Sequence, residues 1–216
     1  MTDPAATAAG QLDVFYPIVP DLDWLKRIVP LGVRTVQLRI KDASSDEIRR
    51  QILDSLELCT RHGCQLIVND YWREALEAGA DYVHLGQEDL ADADVPALKA
   101  HKIKVGISTH TVEELETALA AGPDYVALGP IWETKLKVMK YAPQGLDRIS
   151  EWKARIGWLP LVAIGGITPE RASSVIEAGA QSASVITDFF THPDPEARIR
   201  MWLDWAEGAR RALGSV

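Results

Sequence analysis

Short runs of β-branched and aliphatic residues recur along the chain at 13–19 (DVFYPIV), 35–40 (TVQLRI), 65–70 (QLIVND), 82–87 (YVHLGQ), 103–108 (IKVGIS), 125–131 (YVALGPI), 161–167 (LVAIGGI) and 182–188 (SASVITD). Each is short and carries side chains that suit a pleated surface, so each predicts a strand. Helical spacing fills the gaps. In SSDEIRRQILDSLELC, Ile48, Ile52, Ser55 or Leu56, and Cys59 fall on one stripe; Ser45 is the expected cap, with Asp46 and Glu47 in the first turn. YWREALEAGA, TVEELETALAAG and TPERASSVIEAGA each run to a glycine just before the next strand, as a helix C-terminus should. PDPEARIRMWLDWAEGARRAL supplies a last amphipathic helix.

Strands alternating with helices imply right-handed βαβ units and a parallel sheet. Eight such units predict an α/β fold, a single (β/α)8 TIM barrel, over 11–216, with 1–10 as a flexible N-terminal tail. The alternative is a doubly wound open sheet, but no composition shift or linker divides the chain.

The composition removes several function classes. A net charge of −8 opposes general binding to nucleic acid or to an anionic membrane, so an anionic ligand needs a local cluster of cations or a metal ion. The apolar runs are too short to cross a bilayer. The first ten residues, MTDPAATAAG, lack the basic and apolar regions of a signal peptide. Cys59 and Cys64 have no metal or redox spacing, and free thiols there suit a reducing cytoplasm.

The stretch TVQLRIKD carries the first chemical signal. Alternation places Gln37, Arg39 and Lys41 on one face and Val36, Leu38 and Ile40 on the other. On an edge strand the polar face would meet water. In a barrel it points inward, rising toward the C-terminal rim where active sites of this fold sit. Buried cations need a partner, so an anion is expected there. Other strands also turn polar at that end: Asn69 and Asp70, His84 to Asp89, Gly106 to His110, Gly129 to Lys137, and Ala163 to Thr168. Asp70 and Asp89 also suit helix caps, His84 a hydrogen-bonded core histidine, Ser108 a small interior residue and His110 a solvent-facing one. The turn IGGITPE combines two glycines with a helix opened by Thr168 and Pro169, a place for a phosphate on backbone N–H groups. Asp70 and Asp89 near Arg39, Lys41 and Lys137 offer hard oxygen ligands for Mg²⁺ beside a diphosphate. Two phosphorylated substrates would fit.

The set VQLRIKD, VND, GADYVHLGQEDL, GISTHTVEEL, DYVALGPIWET and LVAIGGITPERASSVIEAGA resembles the thiamine phosphate synthase family over nearly the whole chain, from about Asp13 to Thr187. The resemblance implies a Mg²⁺-dependent transferase joining hydroxymethylpyrimidine diphosphate to hydroxyethylthiazole phosphate, with release of pyrophosphate by a dissociative path. It implies that Gln37, Arg39, Lys41, Asn69 and Lys137 hold the diphosphate, that Asp70 and Asp89 ligate Mg²⁺, and that Ser108 sits by the pyrimidine. Arg39, Lys41, Ser108 and Lys137 would carry the reaction. Thr134, Gly166, Ile186 and Thr187 would bind the thiazole phosphate, and Leu136 stands where the family commonly has a second threonine of a T-x-T-K motif. VMKYAPQG, which follows, is a candidate lid, and Lys135 or Lys140 would be solvated there.

Other readings are a thiazole tautomerase-like isomerase of the same superfamily, a non-catalytic barrel that binds a phosphorylated metabolite, and an unrelated isomerase with His84 or Glu88 as base. Relatives of the first kind place a catalytic histidine where this chain has Pro130. Trp202 and Trp205 of the last helix would cover the barrel or, in a homo-oligomer, meet a partner subunit; covering is the expectation.

Overall fold

Eight parallel strands close in chain order: β1 (Phe15–Val19), β2 (Thr35–Leu38), β3 (Gln65–Asn69), β4 (Tyr82–Leu85), β5 (Lys104–Thr109), β6 (Tyr125–Leu128), β7 (Leu161–Ile164) and β8 (Ser182–Val185). The helices are α1 (Leu22–Ile28), α2 (Ser45–Arg61), α3 (Trp72–Ala78), α4 (Gln87–Asp92), α5 (Val95–Ala100), α6 (Val112–Ala120), α7 (Gly145–Ile156), α8 (Pro169–Glu177), α9 (Thr187–Phe190) and α10 (Pro195–Leu213). This computed structural model describes residues 12–134 and 141–214. The expected tail at 1–10, Lys135, Leu136, Lys137 and Lys140, and part of the expected lid, lie outside the described residues. The fold is the (β/α)8 barrel that the alternation predicts.

Local chemistry sets the element ends. Ser44 rather than Ser45 caps α2, accepting from the Glu47 amide at 3.3 Å, because Ser44 holds the extended backbone a cap requires and Ser45 is already helical. The buried stripe of that helix is Ile48, Ile52, Ser55, Leu58 and Cys59, with Leu56 half-buried. Asp70 is not a cap: α3 starts after Tyr71 without a side-chain cap. Asp89 lies inside the first turn of α4, where the helix dipole favours a carboxylate. Trp202 is fully buried and stacks on Phe15 at 5.0 Å between centroids, so α10 covers the barrel as expected.

The two faces of β2 separate as the alternation requires. Val36, Leu38 and Ile40 join the apolar layer between sheet and helices, while Gln37 turns inward to donate to the Tyr16 hydroxyl at 2.7 Å. The strand ends two residues earlier than expected, at Leu38, but the Arg39 amide still bonds to the Val19 carbonyl at 2.8 Å. The interior is filled by Leu12, Tyr16, Ile18, Ile67, Tyr82, Tyr125, Ala127 and Val162. Adjacent register positions put His84 beside Gly106 and Gly106 beside Tyr125. A Cβ on Gly106 would lie 1.9 Å from Cζ of Tyr125. The phenol ring thus occupies the space that any other residue at 106 would need.

Leu38→Ala is expected to destabilise the protein by about 2–5 kcal/mol through lost burial and a residual cavity. Lys41→Met, exposed at the rim, should change stability by less than about 0.5 kcal/mol. Chemical denaturation of the two variants measures the contrast.

Candidate active site

Residues from the ends of β2, β3 and β4 gather on one side of the C-terminal mouth. Arg39 is half-buried and Lys41 exposed just past β2, Asn69 is buried at the end of β3, and Asp70 follows it. Lys41 Nζ lies 3.4 Å from Asp70 Oδ2, a contact weakened by the exposure of the lysine. Asp70 has φ 64°, a left-handed backbone that Asp and Asn tolerate better than most residues. Its carboxyl is pushed above the ordinary aspartate value, chiefly by burial and then by the nearby Asp89 charge, with Lys41 opposing. Gly86 leaves room for this arrangement, since a Cβ there would come within 2.9 Å of Asp89 Oδ2. Two carboxylates therefore converge, and among the described residues Lys41 is the cation within ion-pair distance of Asp70.

The opposite side is built from backbone. In a closed ring of eight strands β7 stands diametrically across from β3. Gly165 and Gly166 both have positive φ, at 101° and 68°. A side chain on Gly166 would meet the Glu133 carbonyl and the Trp132 side chain at 2.7 Å, so the turns after β6 and β7 lie in close contact. The Ile164 and Gly165 carbonyls accept from the Ile131 and Trp132 amides at 2.9 and 3.0 Å. Because a trans peptide directs its N–H opposite to its C=O, the Gly165 and Gly166 N–H groups face away from the β6 turn. Thr134, Ile186 and Thr187 are half-buried around this end, with Ile186 preceding α9. Gly129–Pro130 is a cis peptide bond.

Beneath the mouth lies a connected polar chain. Tyr16 and Tyr125 hydroxyls are 3.0 Å apart, the Tyr125 hydroxyl is 2.8 Å from His84 Nδ1, and His84 Nε2 is 2.8 Å from Ser108 Oγ. Burial, and secondarily the Arg39 charge, lower the His84 pKa to about 4, so the ring is neutral at physiological pH. Both its nitrogens are engaged below the rim, which removes it as a free base; Glu88 is exposed on α4. Ser108 is anchored twice, since Gln87 Nε2 also donates to its carbonyl at 2.7 Å. The sequence pattern singled out His84 and Ser108 but not Tyr16, Tyr125, Gly106 or Gln87. Tyr16 and Tyr125 carry no local signal beyond their place in short apolar strands. His110 is not a simple solvent-facing residue: its Nδ1 lies 2.8 Å from Glu114 Oε2, and its ring stacks on Tyr141 at 4.3 Å.

Gln37, Arg39, Lys41, Asn69, Asp70, Asp89 and Ser108 come from neighbouring strand ends, with Thr134, Gly166, Ile186 and Thr187 at the ends of β6 to β8. Leu136 and Lys137 belong to the undescribed segment. Polar and charged groups gathered at the C-terminal rim, over an interior filled by side chains, are the layout of barrel enzymes. The chain matches the family model for thiamine monophosphate synthase over residues 15–189. It is 58% identical over 193 residues to the thiamine-phosphate synthase of Rhizobium etli, covering 89% of this chain and 95% of that protein. It is 44% identical over 186 residues to the thiamine-phosphate synthase of Neisseria meningitidis serogroup A, with 86% and 91% covered. A solved thiamine phosphate pyrophosphorylase from Pyrococcus furiosus superposes with a TM-score of 0.78 at 25% identity, covering 90% of this chain and 95% of that one. The chain belongs to the thiamine monophosphate synthase family, whose members are transferases. Among the described residues, no helix is long and apolar enough to cross a membrane.

The raised Asp70 pKa gives a signed stability effect. Between the unfolded and folded values the native state binds more protons, so rising pH removes stability through this group. Asp70→Asn, which suits the same backbone, should melt higher than the parent at neutral pH without ligand. The difference should vanish as pH falls below the ordinary carboxylate range; calorimetry across pH checks it.

Proposed function

We propose that this enzyme condenses hydroxymethylpyrimidine diphosphate with hydroxyethylthiazole phosphate to give thiamine phosphate and pyrophosphate. The observation that carries the reading is the division of the mouth: cations and paired carboxylates at β2–β4 face a glycine turn at β7. One end suits a diphosphate and the other a monophosphate, the charge pattern of these two substrates. The family relationship supports their identity.

Asp70 and Asp89 fit Mg²⁺: they converge, both offer hard oxygen ligands, and burial first, then the neighbouring Asp89 charge, raises the Asp70 pKa. Among the described residues no group of three or more His, Cys, Asp or Glu could hold a metal ion, so water and phosphate oxygens would complete the coordination. Bound there, Mg²⁺ would neutralise charge on the diphosphate oxygens. Arg39, Lys41 and Lys137 would hold the diphosphate and stabilise the charge it gains as the carbon–oxygen bond breaks. Gln37 and Asn69 would fix its orientation, and Ser108 would sit by the pyrimidine. Gly166, Ile186, Thr187 and Thr134 would hold the thiazole phosphate so that its ring nitrogen faces the methylene carbon. The bonding pair leaves with pyrophosphate, and the nitrogen lone pair forms the new carbon–nitrogen bond. This path is dissociative and needs neither a protein nucleophile nor a general base, in accord with a His84 occupied below the rim. Pro130 stands where tautomerase relatives would place a catalytic histidine, which disfavours the isomerase reading. Small phosphorylated substrates and a cytoplasmic setting belong to the same proposal.

Incubation with both phosphorylated halves and Mg²⁺ should yield the coupled product and an equal amount of pyrophosphate; a purified enzyme that forms neither refutes the reading. Arg39→Met and Lys41→Met should each lower kcat by roughly two orders of magnitude or more. Their melting temperatures without ligand should be unchanged or raised.

A further inference from the structure

We propose that His84 is a positioning residue: the buried chain Gln37–Tyr16–Tyr125 holds its imidazole as the Nε2–H tautomer, and this tautomer turns the Ser108 hydroxyl hydrogen toward the ligand. The inference deepens the function proposed above and, for the ligand, rests on it.

Hydrogen counting along the chain gives the direction. Gln37 Nε2 can only donate, so it donates to the Tyr16 oxygen at 2.7 Å. We assign the single Tyr16 hydroxyl hydrogen to the Tyr125 oxygen, 3.0 Å away, because the opposite direction would leave that buried hydrogen without an acceptor among the described residues. Tyr125 in turn spends its hydrogen on His84 Nδ1 at 2.8 Å. A neutral imidazole whose Nδ1 accepts must carry its hydrogen on Nε2, which faces Ser108 Oγ at 2.8 Å. Ser108 Oγ therefore accepts from His84 and keeps its own hydrogen for an acceptor at the rim. The links from Gln37 to His84 lie in the packed interior, where aligned bonds strengthen one another, and the last runs out to the half-buried Ser108. Tyr16, Gln37 and His84 are all buried, and desolvation keeps both phenols and the imidazole neutral, as the counting requires. Gly106 permits the geometry, because the Tyr125 ring crosses its position to reach His84. Reversing any link would make Ser108 the donor to His84 and leave only lone pairs for the ligand.

Imidazole nitrogen NMR of isotopically labelled, unliganded protein reads the tautomer without turnover. The parent should show His84 protonated on Nε2 alone, and Tyr125→Phe, which removes the donor to Nδ1, should show a mixture. Tyr125→Phe should also lower kcat for the coupling reaction roughly tenfold, with KM for both substrates little changed. A cycle with Ser108→Ala tests whether the effect passes through Ser108: Tyr125→Phe added to Ser108→Ala should cause no further loss. A parent tautomer protonated on Nδ1 overturns the inference, as does an additive loss in the double variant. If the parent forms no coupled product, the proposed function fails and the ligand half of the inference with it; the tautomer half then stands or falls on the NMR spectrum.

Discussion

Two phenols meeting in the middle of a closed barrel, Tyr16 and Tyr125 with hydroxyls 3.0 Å apart, organise what lies above them. A barrel of eight strands has a filled interior with no bulk water, so a polar atom aimed inward is costly unless it meets another. Tyr16 satisfies Gln37 of β2 and Tyr125 satisfies His84 of β4, so one contact ties together strands on different sides of the ring. Without it, at least one buried polar group would be left unmet, at a cost of about 1–3 kcal/mol. The rim inherits its order from this layer: Gln37 sits directly below Arg39, and His84 grips Ser108.

Above the packed layer the electrostatics change character. Lys41, Asp70 and Asp89 form a partly exposed cluster that does not balance itself, and Asp70 is pushed toward protonation in the unliganded state. Residues selected for stability alone would not be left in such a state; a site that waits for a charged ligand has reason to be. The glycine turn across the mouth carries its polarity in peptide groups, pinned by the Ile131 and Trp132 amides. One half of the mouth thus responds to charge through side chains and the other through rigid backbone.

The β/α alternation made the barrel legible from sequence, because apolar runs, helical stripes and glycine stops all agreed with one fold. The faces of β2 were legible too, since strand alternation is geometry and Gln37 and Leu38 obey it. Less legible were features that depend on register. Nothing local in GIS or YVAL shows that Gly106 and Tyr125 are neighbours; only the pairing of β5 with β6 does. The cap of α2 shifted by one residue because adjacent serines offer the same hydroxyl and only backbone conformation chooses between them. His110 read as solvent-facing because its partners, Glu114 and Tyr141, come from the following helix and from beyond a loop.

The space shared by Gly106 and Tyr125 has a meaning for how such a barrel can diverge. A residue larger than glycine at 106 can enter only when the ring at 125 has gone, and a ring lost from 125 leaves a hole opposite a residue with no side chain to fill it. The two positions are therefore sterically coupled, and a change at one alone either crowds the axis or leaves it hollow. Relatives that abandon the pair must also find another way to hold the histidine of β4. At the axis of this barrel, volume given to one strand is volume taken from its neighbour.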